Sequence, residues 1–331
     1  MKKILSFYKA TNESIKCELC PNECLLKNGQ TGLCKTIKNI DNKLYSLNYE
    51  EISSISIDPI EKKPIFHYHP GDKVLSIGSW GCNLKCPFCQ NFEISQFKPN
   101  YLSKVKANEI PLIINEKNVN GIAYTYSEPL SCYEYVYESC VQVKKYNENY
   151  YNILVTNGFI NEYPFEKLLN YIDAVNIDLK TFNSKNYMKY LKGNLKNVLN
   201  SIELAFQKDI HVELTTLIVP KISDNLHDLE EEFKWISHLS KNIPLHISKY
   251  YPIFKYNESK TSRSLLIKIY EMAKKYLNYV YIGNLWEEKY ESTFCPNCGN
   301  LLIKRNGYKI QKINLDEHGG CKTCGQKIIK Y

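Results

Sequence analysis

The sequence predicts an α/β fold: a parallel sheet, barrel-like or open, carrying a small cysteine-rich unit on either side. Three observations point there. Between residue 73 and about residue 285, strand-like apolar runs alternate with amphipathic helical stretches, and repeated strand-helix units imply parallel strands with right-handed crossovers. The 13 cysteines among 331 residues are clustered, at 17, 20, 24 and 34, at 82, 86 and 89, at 132 and 140, and at 295, 298, 321 and 324. The composition, 44 % hydrophobic and 24 % charged, suits one large core with small satellites and excludes a disordered or fibrous chain.

Residues 1–72 read as a metal-pinned lobe, with polar turns at Lys27-Asn28-Gly29 and Asp41-Asn42-Lys43 between short runs such as Leu44 to Leu47. The core, residues 73–289, opens with a strand from Lys73 to Gly78 and a helix from Val105 to Glu116. Further strands are expected at Val119 to Tyr124, Tyr151 to Val155, Ala174 to Ile177, His211 to Ile218, Leu245 to Ile247 and Val280 to Ile282. Helices are expected at Cys132 to Lys145, Leu195 to Gln207, Leu226 to Leu239 and Ser262 to Tyr276. Residues 290–331 form a short tail with paired cysteines. No repeat or low-complexity tract interrupts this order.

The opening Met-Lys-Lys-Ile-Leu soon reaches Glu13 and Lys16, which is not a secretion signal, and no run approaches the roughly 18 apolar residues of a membrane span. The expectation is a cytoplasmic protein without a membrane partner. In that compartment close cysteine pairs read as metal ligands before disulfides. The net charge is +8, but basic and acidic residues are interleaved, as in Asp228 to Lys234, so nucleic acid is not an expected partner. The 27 tyrosines match a compositional bias and carry no functional weight.

Gly81-Cys82-Asn83-Leu84-Lys85-Cys86-Pro87-Phe88-Cys89-Gln90-Asn91 follows directly on the first core strand, with cysteines spaced C-x3-C-x2-C. Three thiolates at that pitch can hold three corners of an iron-sulfur cubane and leave one iron open to a small molecule. A three-cysteine zinc site borrowing a ligand, or unrelated thiols on a turn, are the alternatives. The loop, with Phe88 before its last cysteine, resembles the signature of the radical S-adenosylmethionine (SAM) enzymes. Tyr124 to Pro129 stands where that family has its Gly-Gly-Glu segment, with Ser127-Glu128-Pro129 in place of the glycines. Thr156-Asn157-Gly158, Asn176 to Lys180 and Leu217 to Pro220 occupy later strand ends, and the Asp178-Leu179-Lys180 run resembles pyruvate formate-lyase activating enzymes. The carboxyl ends of parallel strands are where such folds build their sites.

The resemblance implies a partial (β/α)6-type radical SAM barrel with a [4Fe-4S] cluster on Cys82, Cys86 and Cys89. SAM chelates the open iron and is cleaved to a 5′-deoxyadenosyl radical. The implied SAM contacts are Phe88 on adenine, Ser127 and Glu128 in the methionyl segment, and Asn157 and Asp178 toward ribose or amine. Lys180 would neutralise the carboxylate, or is a solvated strand-end lysine. His246 alternates with apolar residues on a late strand and either faces the barrel mouth or is structural. His67 and His69, before Pro70-Gly71, read as a surface turn, with metal or substrate contacts as the alternative.

Cys295-Pro296-Asn297-Cys298-Gly299 and Cys321-Lys322-Thr323-Cys324-Gly325 form two knuckles, the pattern of a zinc ribbon that presents four thiolates tetrahedrally, with a rubredoxin-like iron site as the alternative. Cys17, Cys20, Cys24 and Cys34 form a second four-thiolate set, for Zn2+ or a second [4Fe-4S] cluster; with no evident need for a relay, zinc is the expectation. Cys132 and Cys140 read as buried, unreactive thiols.

The N-terminal cysteine set, Asp58 to Pro64, the cluster loop, Ile282-Gly283-Asn284 and the terminal ribbon together resemble the AmmeMemoRadiSam-system radical SAM enzymes over nearly the whole chain. The expected partners are then a protein or peptide substrate, an electron donor such as flavodoxin or ferredoxin, and companion proteins of that system. An RNA-modifying radical SAM enzyme and a non-catalytic metal scaffold are the competing readings. With all three sites loaded the net charge falls to about +3, which weakens the RNA reading.

Overall fold

A computed structural model of the chain describes residues 3–11 and 13–331. Its centre is one eight-stranded sheet. Strand β1 (Ser54–Pro59) runs antiparallel to β2 (Lys73–Gly78), with Ser54 opposite Gly78 and Pro59 opposite Lys73. There follow β3 (Gly121–Tyr124), β4 (Tyr151–Thr156), β5 (Ala174–Asp178), β6 (His211–Ile218), β7 (Leu245–Lys249) and β8 (Val280–Gly283), all parallel and in sequence order across the sheet. Strands β1 and β8 are its two edges, so the barrel is partial. Parallel strands flanked by helices are buried on both faces, and β3 and β5 are accordingly near-continuous buried runs.

Helices α1 (Ile110–Glu116), α2 (Tyr133–Tyr146), α3 (Glu162–Leu169), α4 (Leu195–Gln207), α5 (Leu226–Leu239) and α6 (Arg263–Ala273) make the crossovers. Three begin where a side chain takes an orphan backbone N–H: Asn194 caps Lys196, Asn225 caps His227 and Asp228, and Ser262 caps Leu265. Each then buries a stripe at helical spacing, Leu195, Val198, Ile202 and Ala205 on α4, and Leu229, Phe233 and Ile236 on α5.

The expected strands all form. Helix α1 starts five residues later than expected, because a 3-10 turn, Ala107–Glu109, precedes it and the Glu109 carboxylate accepts the Lys106 N–H at 2.8 Å. Cys132 likewise belongs to a 3-10 turn, Pro129–Cys132, ahead of α2. Helix α3 was not anticipated; its Pro164 sits in the first turn, where the missing N–H is harmless.

The N-terminal lobe is two small antiparallel sheets, one of Tyr8–Ala10, Ile15–Cys17 and Leu25–Leu26, the other of Lys3–Ile4, Lys43–Ser46 and Ile37–Ile40. Its apolar residues, among them Leu5, Ile15 and Ile37, join the main core. The tail forms β9 (Thr293–Phe294), β10 (Leu301–Asn306) and β11 (Lys309–Lys312), an antiparallel sheet with its own small core around Leu302, Ile303 and Ile329. Among the described residues no helix is long and apolar enough to cross a membrane.

Candidate active site

The carboxyl ends of the parallel strands surround a cavity of about 550 Å3. The cluster loop leaves β2 through Gly81 at φ +95°. A side chain there would meet Thr36 Cγ2 at 2.3 Å and the Cys34 carbonyl at 3.0 Å, so only glycine lets the loop lie against the N-terminal lobe. Cys82, Cys86 and Cys89 all line the cavity. The Leu84 N–H donates to Cys82 Sγ at 3.4 Å, and Ser95 Oγ lies 3.1 Å from Cys89 Sγ. Burial pushes the Cys82 and Cys86 thiols up, Cys86 to about 12, with the Lys180 ammonium pulling Cys86 back. Thiols so buried ionise in earnest only when a metal replaces the proton.

The segment after β3 is held rigidly. Ser127 Oγ donates to the Ser79 carbonyl at 3.0 Å. Glu128 is buried, and its carboxylate accepts from Thr156 Oγ1 at 2.6 Å, the Asn157 N–H at 2.8 Å and the Leu130 N–H at 3.1 Å. Burial raises its pKa to about 7 despite those three donors. Asn157, after β4, gives its side-chain amide to Asn83 Oδ1 at 2.9 Å and reaches Cys82 Sγ at 3.6 Å. The polar groups of Glu128 and Asn157 therefore orient the loop and the strand ends.

Asp178, at the end of β5, pairs with Lys180 at 2.9 Å, and both line the cavity. Burial would lower the Lys180 pKa, but Asp178 and the Cys86 thiol outweigh it and hold the ammonium charged. Phe88 is buried on the cavity wall, its neighbour Pro87 accepting the Lys255 N–H at 3.0 Å.

His246 reaches the cavity from β7 and is fixed from behind. Its Nε2 lies 2.6 Å from the buried carboxylate of Glu213, which also meets His211 Nε2 at 2.9 Å and the N–H groups of Phe66 and His67 at 2.8 and 2.7 Å. Burial opposes ionisation of Glu213, yet the hydrogen bonds from His211 and His246 hold its pKa well below the usual range. The surface turn expected at His67 is not found. His67 is buried, its Nε2 2.6 Å from the Tyr281 hydroxyl, and burial pushes its pKa down to about 3. His69 is only partly buried, between Tyr151 and Tyr331.

Sequence reasoning missed this network and a second one. Asp58, at the end of β1, accepts from Lys62 at 2.9 Å, Lys63 at 2.7 Å and the Tyr126 hydroxyl at 2.5 Å, fixing one flank of the cavity. Arg305 of the tail is fully buried; it donates to the Phe66 carbonyl at 2.8 Å and Thr293 Oγ1 at 2.6 Å, with Glu61 at 3.9 Å. A charged residue inside an otherwise apolar strand, as in His211-Val212-Glu213-Leu214, was the available signal.

The three cysteine sets differ in spread. Cys295, Cys298, Cys321 and Cys324 bring their sulfurs within 4.8 Å of one another, with pairs at 3.5 and 3.6 Å, a group able to hold a metal ion. Among the described residues no other three candidate ligands come so close, so the Cys82 set and the Cys17 set are both wider. For the Cys82 set, one buried and two half-buried thiols spread around a cavity fit a multi-iron cluster. Cys132 and Cys140 are buried as expected.

A seven-stranded parallel sheet whose strand ends gather three thiols, a buried carboxylate and a lysine around one cavity is an α/β architecture suited to holding a metallocofactor. The family model for the radical SAM superfamily matches residues 77–236, and the chain belongs to that superfamily, whose chemistry implies SAM and a [4Fe-4S] cluster. An uncharacterised protein of Methanocaldococcus jannaschii is 38 % identical, over 99 % of each chain. A protein of the same organism, named provisionally as a glycyl-radical enzyme activating enzyme, is 28 % identical over 62 % of this chain and 87 % of its own length. The crystal structure of a radical SAM methyltransferase from Sphaerobacter thermophilus shares the fold, with a TM-score of 0.50 at 11 % identity, over 85 % of this chain and 76 % of that one.

Proposed function

We propose that this chain is a radical SAM enzyme that takes hydrogen from a protein or peptide substrate, in the manner of glycyl-radical enzyme activating enzymes and as part of an AmmeMemoRadiSam-type system. One observation carries the reading: Cys82, Cys86 and Cys89 share a single cavity with Ser127, Glu128, Asn157, Asp178, Lys180 and His246. When bound on those thiolates, a [4Fe-4S] cluster with SAM at its open iron supplies one-electron cleavage to a 5′-deoxyadenosyl radical.

The chain's own residues do the rest. Lys180 brings a fixed positive charge beside Cys86 for the SAM carboxylate, and Asp178 holds it there. Because the Glu128 carboxylate is engaged by three internal donors, the segment offers SAM its backbone. Phe88 gives adenine an apolar wall, and His246, held by Glu213, closes the floor. Lys63, the strand ends and Tyr308 of the tail wall the cavity on three sides, which limits the access of water to the reacting atoms. Trp286 and Tyr308, 58 % and 47 % exposed, line the cavity too, and aromatic residues of this kind favour a macromolecular substrate. The name of the second archaeal relative supports the same class of substrate. An external one-electron donor such as flavodoxin or ferredoxin completes the reaction. The tail sulfurs, at 3.5 and 3.6 Å, suit one Zn2+, whose bonds of about 2.3 Å set tetrahedral thiolates about 3.8 Å apart.

Anaerobic reconstitution with iron and sulfide, followed by dithionite, is expected to give SAM-dependent 5′-deoxyadenosine, and Cys86→Ala is expected to abolish it. Intact SAM alongside a fully loaded cluster would overturn the proposal.

A further inference from the structure

The N-terminal cysteines converge on a pocket of their own, distinct from the main cavity. Cys17, Cys20, Cys24 and Cys34 all line it, and its remaining wall is largely apolar, with Leu26 and Ile160. Gly32 packs against two of them: a side chain added there would stand 3.6 Å from Cys24 Sγ and 3.8 Å from Cys34 Sγ. The Thr36 hydroxyl donates to Cys34 Sγ at 3.2 Å.

Convergence on one pocket fits either zinc or a cluster, and the spread of the sulfurs separates them. A single ion draws four thiolates to about 3.8 Å of one another, which is what the tail set shows. In a cubane each thiolate binds a different iron, so the four stand on the outside of a larger body and cannot approach so closely. Among the described residues no three of the N-terminal sulfurs fall within 4.8 Å of one another, the behaviour of the Cys82 set and not of the tail.

We propose that Cys17, Cys20, Cys24 and Cys34 hold a second, fully thiolate-ligated [4Fe-4S] cluster, and that zinc is confined to the tail. The site adjoins the main cavity. Asn83 lines the N-terminal pocket and accepts the Asn22 side-chain amide on its carbonyl at 2.9 Å, while it is bonded directly to Cys82. Lys85 donates to the Cys82 carbonyl at 3.3 Å, and its ammonium is within electrostatic reach of both the Cys82 and Cys34 thiols. One cation between two sites suits two anionic centres side by side, about −1 for a three-thiolate cluster and −2 for a four-thiolate one.

The test is metal and sulfide analysis of anaerobically reconstituted full-length protein. The Cys82→Ser/Cys86→Ser/Cys89→Ser variant is expected to retain about four irons and four sulfides beside one zinc. Two zincs with no sulfide-bearing iron in that variant would overturn the proposal. Should the variant not fold, the native chain decides: about eight irons with one zinc supports the second cluster, and about four irons with two zincs overturns it. Failure of the radical SAM reading is read separately, as absence of 5′-deoxyadenosine from native protein whatever its iron count.

Discussion

Glu232 on α5 is fully buried, far in sequence from any cysteine set, and meets a single partner, Thr216 Oγ1 on β6, at 2.5 Å. Burial raises its pKa from 4.5 to about 8. The folded protein therefore binds a proton that the unfolded chain releases between those values. The stability this gives is complete below about pH 4.5 and is lost as the pH climbs toward 8, at about 1.4 kcal/mol per unit. Glu232→Gln keeps the hydrogen bond and removes the ionisation. The substituted protein is expected to match the native one near pH 5 and to exceed its melting temperature increasingly toward pH 8.5, approximate bounds that follow from the shifted pKa. A gap that stays constant across thermal melts in that range would show that Glu232 does not titrate there.

At the scale of elements, the tail sheet is fastened to the barrel by Arg305 of β10. Its guanidinium stacks on the Phe66 ring at 4.2 Å and reaches Glu61 and the Phe66 carbonyl across the interface, while Thr293 of the tail itself accepts a further hydrogen bond. Glu61 is itself buried, and burial raises its pKa, with Arg305 acting against that rise. Arg305→Met removes the cation and leaves a buried carboxylate without its counter-charge, a change expected to cost about 3–5 kcal/mol. Glu61→Gln in the same chain is expected to return part of that loss, measured as the coupling in a double-mutant denaturation cycle. Additive losses would mean that the pair at 3.9 Å carries no interaction. The strand and helix order was readable because period-2 and period-3.6 apolar patterns are local properties of the chain. Helix α3 escaped because eight residues with a proline in the first turn give little periodic signal.

At the scale of the whole molecule, the cavity is completed by Lys63, on the connection between β1 and β2, and by Gly307 and Tyr308 of the tail. The tail has only a small core of its own, so the zinc proposed for its four cysteines would hold its fold together. Stripping zinc with a strong chelator under anaerobic conditions is therefore expected to unfold the tail and open the cavity. SAM affinity should fall at least about tenfold, or about 1.4 kcal/mol, while cluster iron is retained. Equilibrium binding of SAM before and after zinc removal checks this, and unchanged affinity would make the tail a bystander.

Taken alone, the sequence determined the α/β order, the three cysteine sets and the strand ends that bear Glu128, Asn157, Asp178 and Lys180, because spacing and periodicity are properties of neighbours along the chain. It leaned to zinc at the N-terminal site where spacing alone did not decide, placed His67 on the surface and gave no hint that Glu213 anchors His246 or that Arg305 meets Glu61. Those are distances between residues far apart in sequence. Only packing decides which buried charges face one another, and only the folded spread of four sulfurs distinguishes a site sized for one ion from one sized for four irons.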